Sequence, residues 1–436
     1  MLSKKNPIFL LLMFLSLLTI VHGQRLSVSS YSYFGLGEQK FNNDVVTNSM
    51  GGIATAYEDP FGANLNFSNP AVNLKVNTTL FSTNTTIDQM SFSENKTSRY
   101  QGTFYFSNIS LGFPLSKSFT LGFGYQPYTG YFNRMYANES FNQAYSQQKT
   151  IKGGSGLNSF HTFLSYKIDE NWSVGLRGNF LFGYLENQYQ SFHWTDNSKI
   201  SHQEDHIKGI QLTAGVLYTL PREGGKRWSI GATHGIGNKV TVRRIQRDAT
   251  SIFTGELGKE IWTTKTTVDT TENIPLRLPM SASLGLSYGE DYKWMFSAQY
   301  NWQKISDLNA IQPKPVKGFD ETYRNSQRFA LGGYWIPQYN SYKSYFAKVI
   351  YRAGLYYENT PLYINNQCIS DYVLTLGIGL PIRFKRELRE KQSYLNIGLA
   401  LGQRGTTQGN LTKENYLSLK IGFTFGAEWF QKKIYN

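Results

Sequence analysis

The chain is 436 residues long with a net charge of +14, and it holds one cysteine, 30 tyrosines, 29 phenylalanines and 40 glycines. A single cysteine excludes an intrachain disulfide and a thiolate metal cluster. Mean hydropathy is −0.39 and no long apolar run follows Gln24, which excludes a helical membrane protein. The basic residues are scattered rather than clustered, so nucleic acid is not an expected partner; lipopolysaccharide, the periplasm or an anionic ligand accounts better for the charge.

The first segment carries an export signal. Lys4 and Lys5 precede an apolar run from Ile8 to Val21, and small residues suit cleavage after Gly23, so residues 1–23 read as a secretory signal peptide. Residues 24–75 do not read as strand. Gly35, Gly37, Gly51, Gly52, Asp59-Pro60 and Asn69-Pro70 break both regular patterns there.

From Val76 onward a period of two takes over, the mark of strands with two unlike faces. Strand one spans about Val76–Met90 and strand two Tyr100–Leu115. Strand three starts near Ser118 with Phe119, Leu121, Phe123 and Tyr125 outward. Strand four covers Leu157–Ile168, and strand five follows with Trp172, Val174 and Leu176 outward. Strand six presents Ile210, Leu212, Ala214, Val216 and Tyr218; strand seven begins at Trp228. Strand eight sets Ala282, Leu284, Leu286 and Tyr288 against serines and Gly285, and strand nine sets Trp294, Phe296, Ala298, Tyr300 and Trp302 against polar residues. Strands ten and eleven lie near Arg328–Ile336 and Tyr345–Tyr357. Strands twelve to fourteen carry Leu374, Leu376 and Ile378, then Leu395 to Leu401, then Leu417, Leu419, Ile421, Phe423 and Phe425.

The connections alternate in length. Ser116-Lys117, Asp169-Glu170, Pro221–Lys226 and Gly289–Asp291 are short; Asn133–Gly156, Asn187–His206, Thr241–Ile274 and Ser306–Asn325 are long and read as loops. Short periplasmic turns, long extracellular loops and lipid-facing aromatics define an all-β transmembrane antiparallel barrel. The expectation is about fourteen strands over residues 76–436, a water-filled interior and both termini in the periplasm of a Gram-negative bacterium. A soluble sandwich would not explain this rhythm or the outward Trp and Phe.

Gly35-Leu36-Gly37, Met50-Gly51-Gly52, Glu58-Asp59 and Asn69-Pro70-Ala71 resemble the N-terminal hatch of the FadL-type outer-membrane transporters of long-chain fatty acids and other hydrophobic compounds. Pro279, Leu284–Tyr288, Trp294, Tyr300 and Trp302 are similar to that family's paired-strand pattern, and Gly156-Leu157-Asn158 to another of its segments. The resemblance implies a barrel plugged by a hatch over residues 24–75, with Gly51, Gly52, Asn69, Pro70 and Ala71 at its centre. It also implies a kinked third strand that lets a ligand leave sideways. Pro127 fits that role because it lacks an N–H for the ladder, and Gly130 loosens the backbone after it; a strand that simply ends at Pro127 is the other reading. The nearest candidates for an outer capture surface are Met135, Tyr136, Phe141 and Tyr145, with Ile252, Phe253, Leu257, Ile261 and Trp262.

Parity places Lys167, Arg177, Arg277, Arg328, Lys348, Arg352 and Lys420 inward. Among them Arg177, Arg277, Arg328, Lys348 and Arg352 are the candidate substrate-binding cations, since a carboxylate needs a cation beside an apolar tail site. Filling the lumen with water and pairing inward acids is the plainer role for each. His202, Glu204, Asp205 and His206, with His193 nearby, have the donor types for a divalent metal, but a solvated loop suits them better and no metal or cofactor is expected. His161 is inward, yet no serine sits in a G-x-S-x-G elbow, so no enzyme is expected.

The expected function is hatch-gated uptake of hydrophobic small molecules such as long-chain fatty acids, with exit through the wall. The expected partners are that ligand, outer-membrane lipid and lipopolysaccharide, and the barrel-assembly machinery during biogenesis. The alternatives are a non-transporting scaffold or shuttle for protein secretion to the cell surface, and a general porin, which the hatch-like segment weakens. The lumen lining separates the first two: a transporter needs an apolar tail pocket beside a cation, whereas a scaffold can have a filled, polar interior.

Overall fold

The structure, a computed structural model, describes residues 26–40, 44–94, 97–141, 145–193, 196–221, 224–253, 262–305, 320–382 and 393–427. The expected signal peptide lies outside the described residues. Fourteen antiparallel strands close into one barrel. They are β1 (Thr79–Glu94), β2 (Thr97–Pro114), β3 (Phe119–Pro127, resumed at Asn133–Phe141), β4 (Tyr145–Lys167), β5 (Trp172–His193), β6 (Asp196–Thr219) and β7 (Lys226–Ile236, resumed at Lys239–Phe253). The circuit continues through β8 (Trp262–Arg277, resumed at Met280–Glu290), β9 (Trp294–Lys304), β10 (Glu321–Tyr323, resumed at Ser326–Trp335), β11 (Ile350–Ile364), β12 (Gln367–Ile382), β13 (Ser393–Arg404) and β14 (Lys413–Ala427). β14 pairs with β1 from Thr79↔Ala427 to Ser93↔Lys413 and seals the wall.

The period of two sets the two faces. On β9, Phe296 is exposed to the outside while Met295, Ser297 and Gln299 are buried inside. An aromatic girdle marks the short-turn rim, where Trp172 lies 4.5 Å from Tyr218 and Trp228 4.3 Å from Tyr288 between ring centres.

Three connections expected as loops are strands. The hairpins Asn133↔Gly153 to Phe141↔Tyr145, Asn187↔Gln203 to His193↔Asp196 and Thr241↔Pro275 to Phe253↔Trp262 continue the wall past the bilayer. β4, β5 and β6 run 23, 22 and 24 residues, about twice the 9–11 needed to cross a bilayer. Outside lipid neither face has to be apolar, so ladder hydrogen bonds hold the pairing and the hydropathy pattern disappears. Strand eleven also differs: it starts at Ile350, and Tyr345–Lys348 belong to a turn with a 3-10 stretch at Phe346–Lys348.

The interior is not simply water. Tyr33 and Leu36 join inward Tyr131, Leu157, Leu181, Leu185, Ile207 and Leu276 in one buried cluster. Met50, Ile53, Tyr57 and Phe61 join Met295, Tyr334, Ile350 and Tyr394 in another. Both clusters combine the N-terminal segment with the inner wall.

Candidate functional site: the lumen

Glycine decides how closely the N-terminal segment approaches the wall. A Cβ at Gly354 would lie 2.2 Å from Met50 C and 2.3 Å from Gly51 N. At Gly332 it would lie 2.2 Å from Met50 O, at Gly231 2.0 Å from Thr55 O, and at Gly175 2.6 Å from Pro70 C. These glycines alternate with outward Leu and Ile, so they form an inner track on which the segment's backbone rests. Gly51 matches it from the other side: its φ is +72°, and a Cβ there would sit 2.8 Å from Leu355 O.

Buried backbone must find partners, and the wall supplies them. Gly51 N donates to Thr375 Oγ1 (2.8 Å). Ala54 N and Thr55 N both donate to Gln299 Oε1 (2.7 and 2.8 Å). Ser287 Oγ donates to Ala56 O (2.9 Å) and Ser173 Oγ to Ala71 O (3.0 Å), while Ser165 Oγ donates to Pro70 O. Asn69 Nδ2 donates to Thr55 O (2.6 Å) and Val216 O (3.2 Å), and its Oδ1 accepts from Ala71 N (3.0 Å). The expected centre of the segment, Gly51, Gly52, Asn69, Pro70 and Ala71, is thus brought against β4, β5, β6, β11 and β12.

Two buried ionic clusters, which local sequence patterns do not reveal, hold the segment at its ends. Toward the short-turn rim, Glu58 pairs with Lys75 (3.0 Å) and Arg227 (2.8 Å), and Asp291 with the same two cations (3.3 and 3.1 Å). At the opposite end, Glu38 pairs with Lys40 (2.9 Å) and Arg404 (2.8 Å), Arg404 reaches Asp371 (3.0 Å), and Tyr416 donates to Asp371 (2.9 Å). Ser29 and Ser30 donate to Glu414 (2.7 and 2.6 Å) beside it.

The predicted cations divide. Arg177 donates to Phe67 O and Arg328 to Gly51 O (3.1 Å), with the Arg328 guanidinium 3.7 Å from the Tyr356 ring centre; Arg352 donates to Asn396 (2.9 Å). These three are inward, and two of them clamp the segment. Arg277 is a correction: it is exposed on the outer face, while Leu276 and Leu278 are buried. The break at Leu278-Pro279 shifts the strand phase by one, so parity counted back from Leu284 fails. Lys348 is also corrected, since it sits in the β10–β11 turn over the Tyr342 ring (5.7 Å) and not in the lumen. Lys167 pairs with exposed Glu170 at the rim (2.9 Å). Lys420 is buried and lines a cavity.

Two of the chambers on the inner face adjoin the inward cations. One, about 170 Å³, is bounded by Leu36, Met90, Tyr105, Leu362 and Val373 with Lys40, Arg328, Lys420, Asp88 and Glu358. The other, about 180 Å³, is lined by Gln126, Tyr128, Arg177, Gln211 and Gln299, and shares Lys40, Arg328 and Glu358 with the first.

The wall changes partners at β3. The β2–β3 ladder runs only from Pro114↔Thr120 to Ile109↔Tyr125, whereas β3 keeps pairing with β4 as far as Pro127↔Asn158. Beyond that, Thr129 and Gly130 pair with Gln39 and Glu38 of the N-terminal segment, and Lys40 N donates to Tyr128 O (3.0 Å). A Cβ at Gly130 would lie 2.6 Å from Leu26 C. The divergence therefore precedes Pro127 and is fixed by capture of Thr129–Gly130. Replacing Pro127 with valine will leave the ladder gap open, and hydrogen exchange along 104–108 will stay at its native rate; slowed exchange there would show that proline alone makes the gap.

The histidine cluster lies outside the lumen on the β5–β6 hairpin. His202 and His206 each bond Glu204 (2.9 and 3.0 Å), which holds its carboxyl below the usual carboxylate range, while Asp205 points inward to Arg244 (2.7 Å). No metal-binding group was found among the described residues. His161 is buried beneath Phe67, ring centres 4.0 Å apart. Leu257 and Ile261, and the side chains of His193, Met135, Tyr136, Phe141, Tyr145, Ile252, Phe253 and Trp262, lie outside what the structure describes.

Glu321, beyond the lipid band, has its carboxyl pushed up to about 7 by burial; the nearby Tyr323 hydroxyl opposes the rise and the Asp320 charge adds to it. A raised carboxyl favours the folded state only while protonated. That stability is full below about pH 4.5 and is lost as pH rises through 7. Protection of the Glu321–Tyr323 pairing with Leu362–Ile364 will fall between pH 5 and pH 8 in hydrogen exchange corrected for intrinsic rate.

A closed wall with an apolar outer face defines a transmembrane β-barrel of the outer-membrane type. The chain belongs to the BamG family, which it matches over residues 2–436. No curated protein matches it in sequence. Its fold is similar to that of the P. putida toluene transporter TodX, with a TM-score of 0.57 at 12% identity, covering 90% of this chain and 99% of that one. It is similar also to the CymD monoaromatic hydrocarbon channel (0.55, 14%, 90% and 100%) and to a Pseudomonas aeruginosa FadL homologue (0.52, 14%, 90% and 98%).

Proposed function

We propose that this protein is an accessory subunit of the outer-membrane barrel-assembly machinery, a scaffold whose lumen is closed by residues 24–75 acting as a hatch. The name of the family that the chain matches supports a link to that machinery. The observation that carries the reading is the filled lumen. The two chambers beside the inward cations, of about 170 and 180 Å³, fall below the roughly 300 Å³ at which drug-sized ligand pockets begin, and a space of about 450 Å³ lies at the short-turn rim among Lys75, Lys167 and Arg227. Charged groups cross both chambers, and two of the expected carboxylate-binding cations are committed to the hatch backbone. Such an interior suits a rigid body that presents its wall and rims to partners. The signal peptide 1–23 delivers it to the outer membrane, with the short-turn rim in the periplasm.

A second reading, uptake of small hydrophobic molecules, is favoured by the β2–β3 ladder gap beside Pro127 and Gly130, next to Gln126 and Tyr128 of the second chamber's lining. TodX and CymD are a toluene transporter and a monoaromatic hydrocarbon channel, and a solute of that size asks less room than a long-chain acid. Depletion of the protein separates the two. The scaffold reading predicts loss of folded barrels from the outer membrane with unchanged toluene uptake. Normal barrel levels with a several-fold fall in toluene uptake would replace it with the second reading.

A further inference from the structure

We propose that the lipid face of β9–β12 and the β10–β11 turn together form a binding site for one anionic phospholipid of the periplasmic leaflet. The wall is dented there. Phe296, Gly333, Ala353 and Leu376 are cross-strand neighbours on four successive strands, and the two small residues stand where the flanking strands carry Phe and Leu. The resulting depression, about 1120 Å³, is walled by apolar side chains and reaches Trp335 and Tyr351 at the rim. Those two rings lie 5.8 Å apart.

The turn above the depression is built unlike the other short turns. It runs from Ile336 to Val349, and its outer half is tied to the lipid-facing side of the wall. Tyr351 Oη donates to Phe346 O (3.2 Å), and Tyr345 Oη donates to Pro381 O (3.1 Å). Phe346 is nevertheless 71% exposed and Tyr342 96% exposed. Aromatic rings left open to water in one fixed turn mark a contact surface, and at girdle height that surface meets lipid headgroups. Lys343 is exposed beside them, and the Lys348 ammonium lies 5.7 Å from the Tyr342 ring centre. Two lysines on a turn tied to the depression through Tyr351 match a phosphodiester beside acyl chains, and the depression is continuous with the surface that already faces acyl chains. The inner half of the same turn places Tyr339 5.2 Å from both Phe61 and Tyr292, so the bound lipid would sit one turn away from the N-terminal segment.

Native mass spectrometry of the full-length protein, released from mild detergent with added phosphatidylglycerol or phosphatidylcholine, tests this. The wild type should keep one phosphatidylglycerol in preference to phosphatidylcholine by about tenfold, the order expected when lysines meet an anionic surface. The pair Lys343→Gln and Lys348→Gln should abolish the preference, and Ala353→Leu, at an exposed position in the depression, should remove the bound lipid; each variant is first checked for heat-modifiable mobility on a gel. Equal retention of both lipids in all three proteins overturns the proposal. A photo-crosslinking residue in place of Phe346 should yield no discrete protein adduct in cells, and a single defined protein adduct would make the surface a protein dock instead.

Discussion

Replacing Gly354 with valine will open a pore. Its Cβ would meet Met50 C at 2.2 Å and Gly51 N at 2.3 Å, backbone atoms that cannot rotate away. Overpacking of this kind costs about 1–3 kcal/mol where side chains can yield, and more where they cannot. The wall is held by unbroken ladders on both sides of β11 from Tyr351 to Asn359, so the N-terminal segment will give way first. Planar-bilayer recordings will show conductance steps that the native protein lacks, and the strand signal in circular dichroism will be kept. Gly154→Val is the control, since a Cβ there meets nothing within 4 Å. A silent Gly354→Val variant of native stability would mean that the segment yields without leaving the lumen.

Arg404→Met will release the other end of the segment. Arg404 bridges Glu38 and Asp371 at 2.8 and 3.0 Å, with both carboxylates mostly shielded from water. Removing one partner of a buried ion network costs about 3–5 kcal/mol because a charge stays behind uncompensated. Lys40 still neutralises Glu38 and the Tyr416 hydroxyl still reaches Asp371, which places the loss at the lower end of that range. Exchange of backbone amides over 27–40 will accelerate by two orders of magnitude or so at about 3 kcal/mol, while β13 and β14 stay protected. Uniform acceleration through the barrel would show that Arg404 supports the wall and not the segment.

How far these features could be read in the sequence depended on what lipid demands. Where strands cross the bilayer, one face must be apolar, so β9, β12, β13 and β14 were legible residue by residue and the strand count followed. Where β4 to β8 rise above it, that demand ends, and paired strands such as Arg243 to Phe253 look like loops. Arg277 was misplaced because a proline two residues on resets the phase, and Lys348 because a turn interrupts the pattern. Inward glycines were visible but fit a wet lumen as well as a close-packed one. The Glu38–Arg404 and Glu58–Arg227 pairs join residues hundreds or scores of positions apart, with no local signal.

The proposed place of this barrel beside the assembly machinery is tested directly by affinity purification from native outer membranes. A tagged, full-length protein extracted in mild detergent should carry the machinery's own barrel-forming subunit in a fixed molar ratio that survives size-exclusion chromatography. Elution of the protein alone at the size of a single chain in its detergent belt, from membranes where the machinery itself remains assembled, would contradict it.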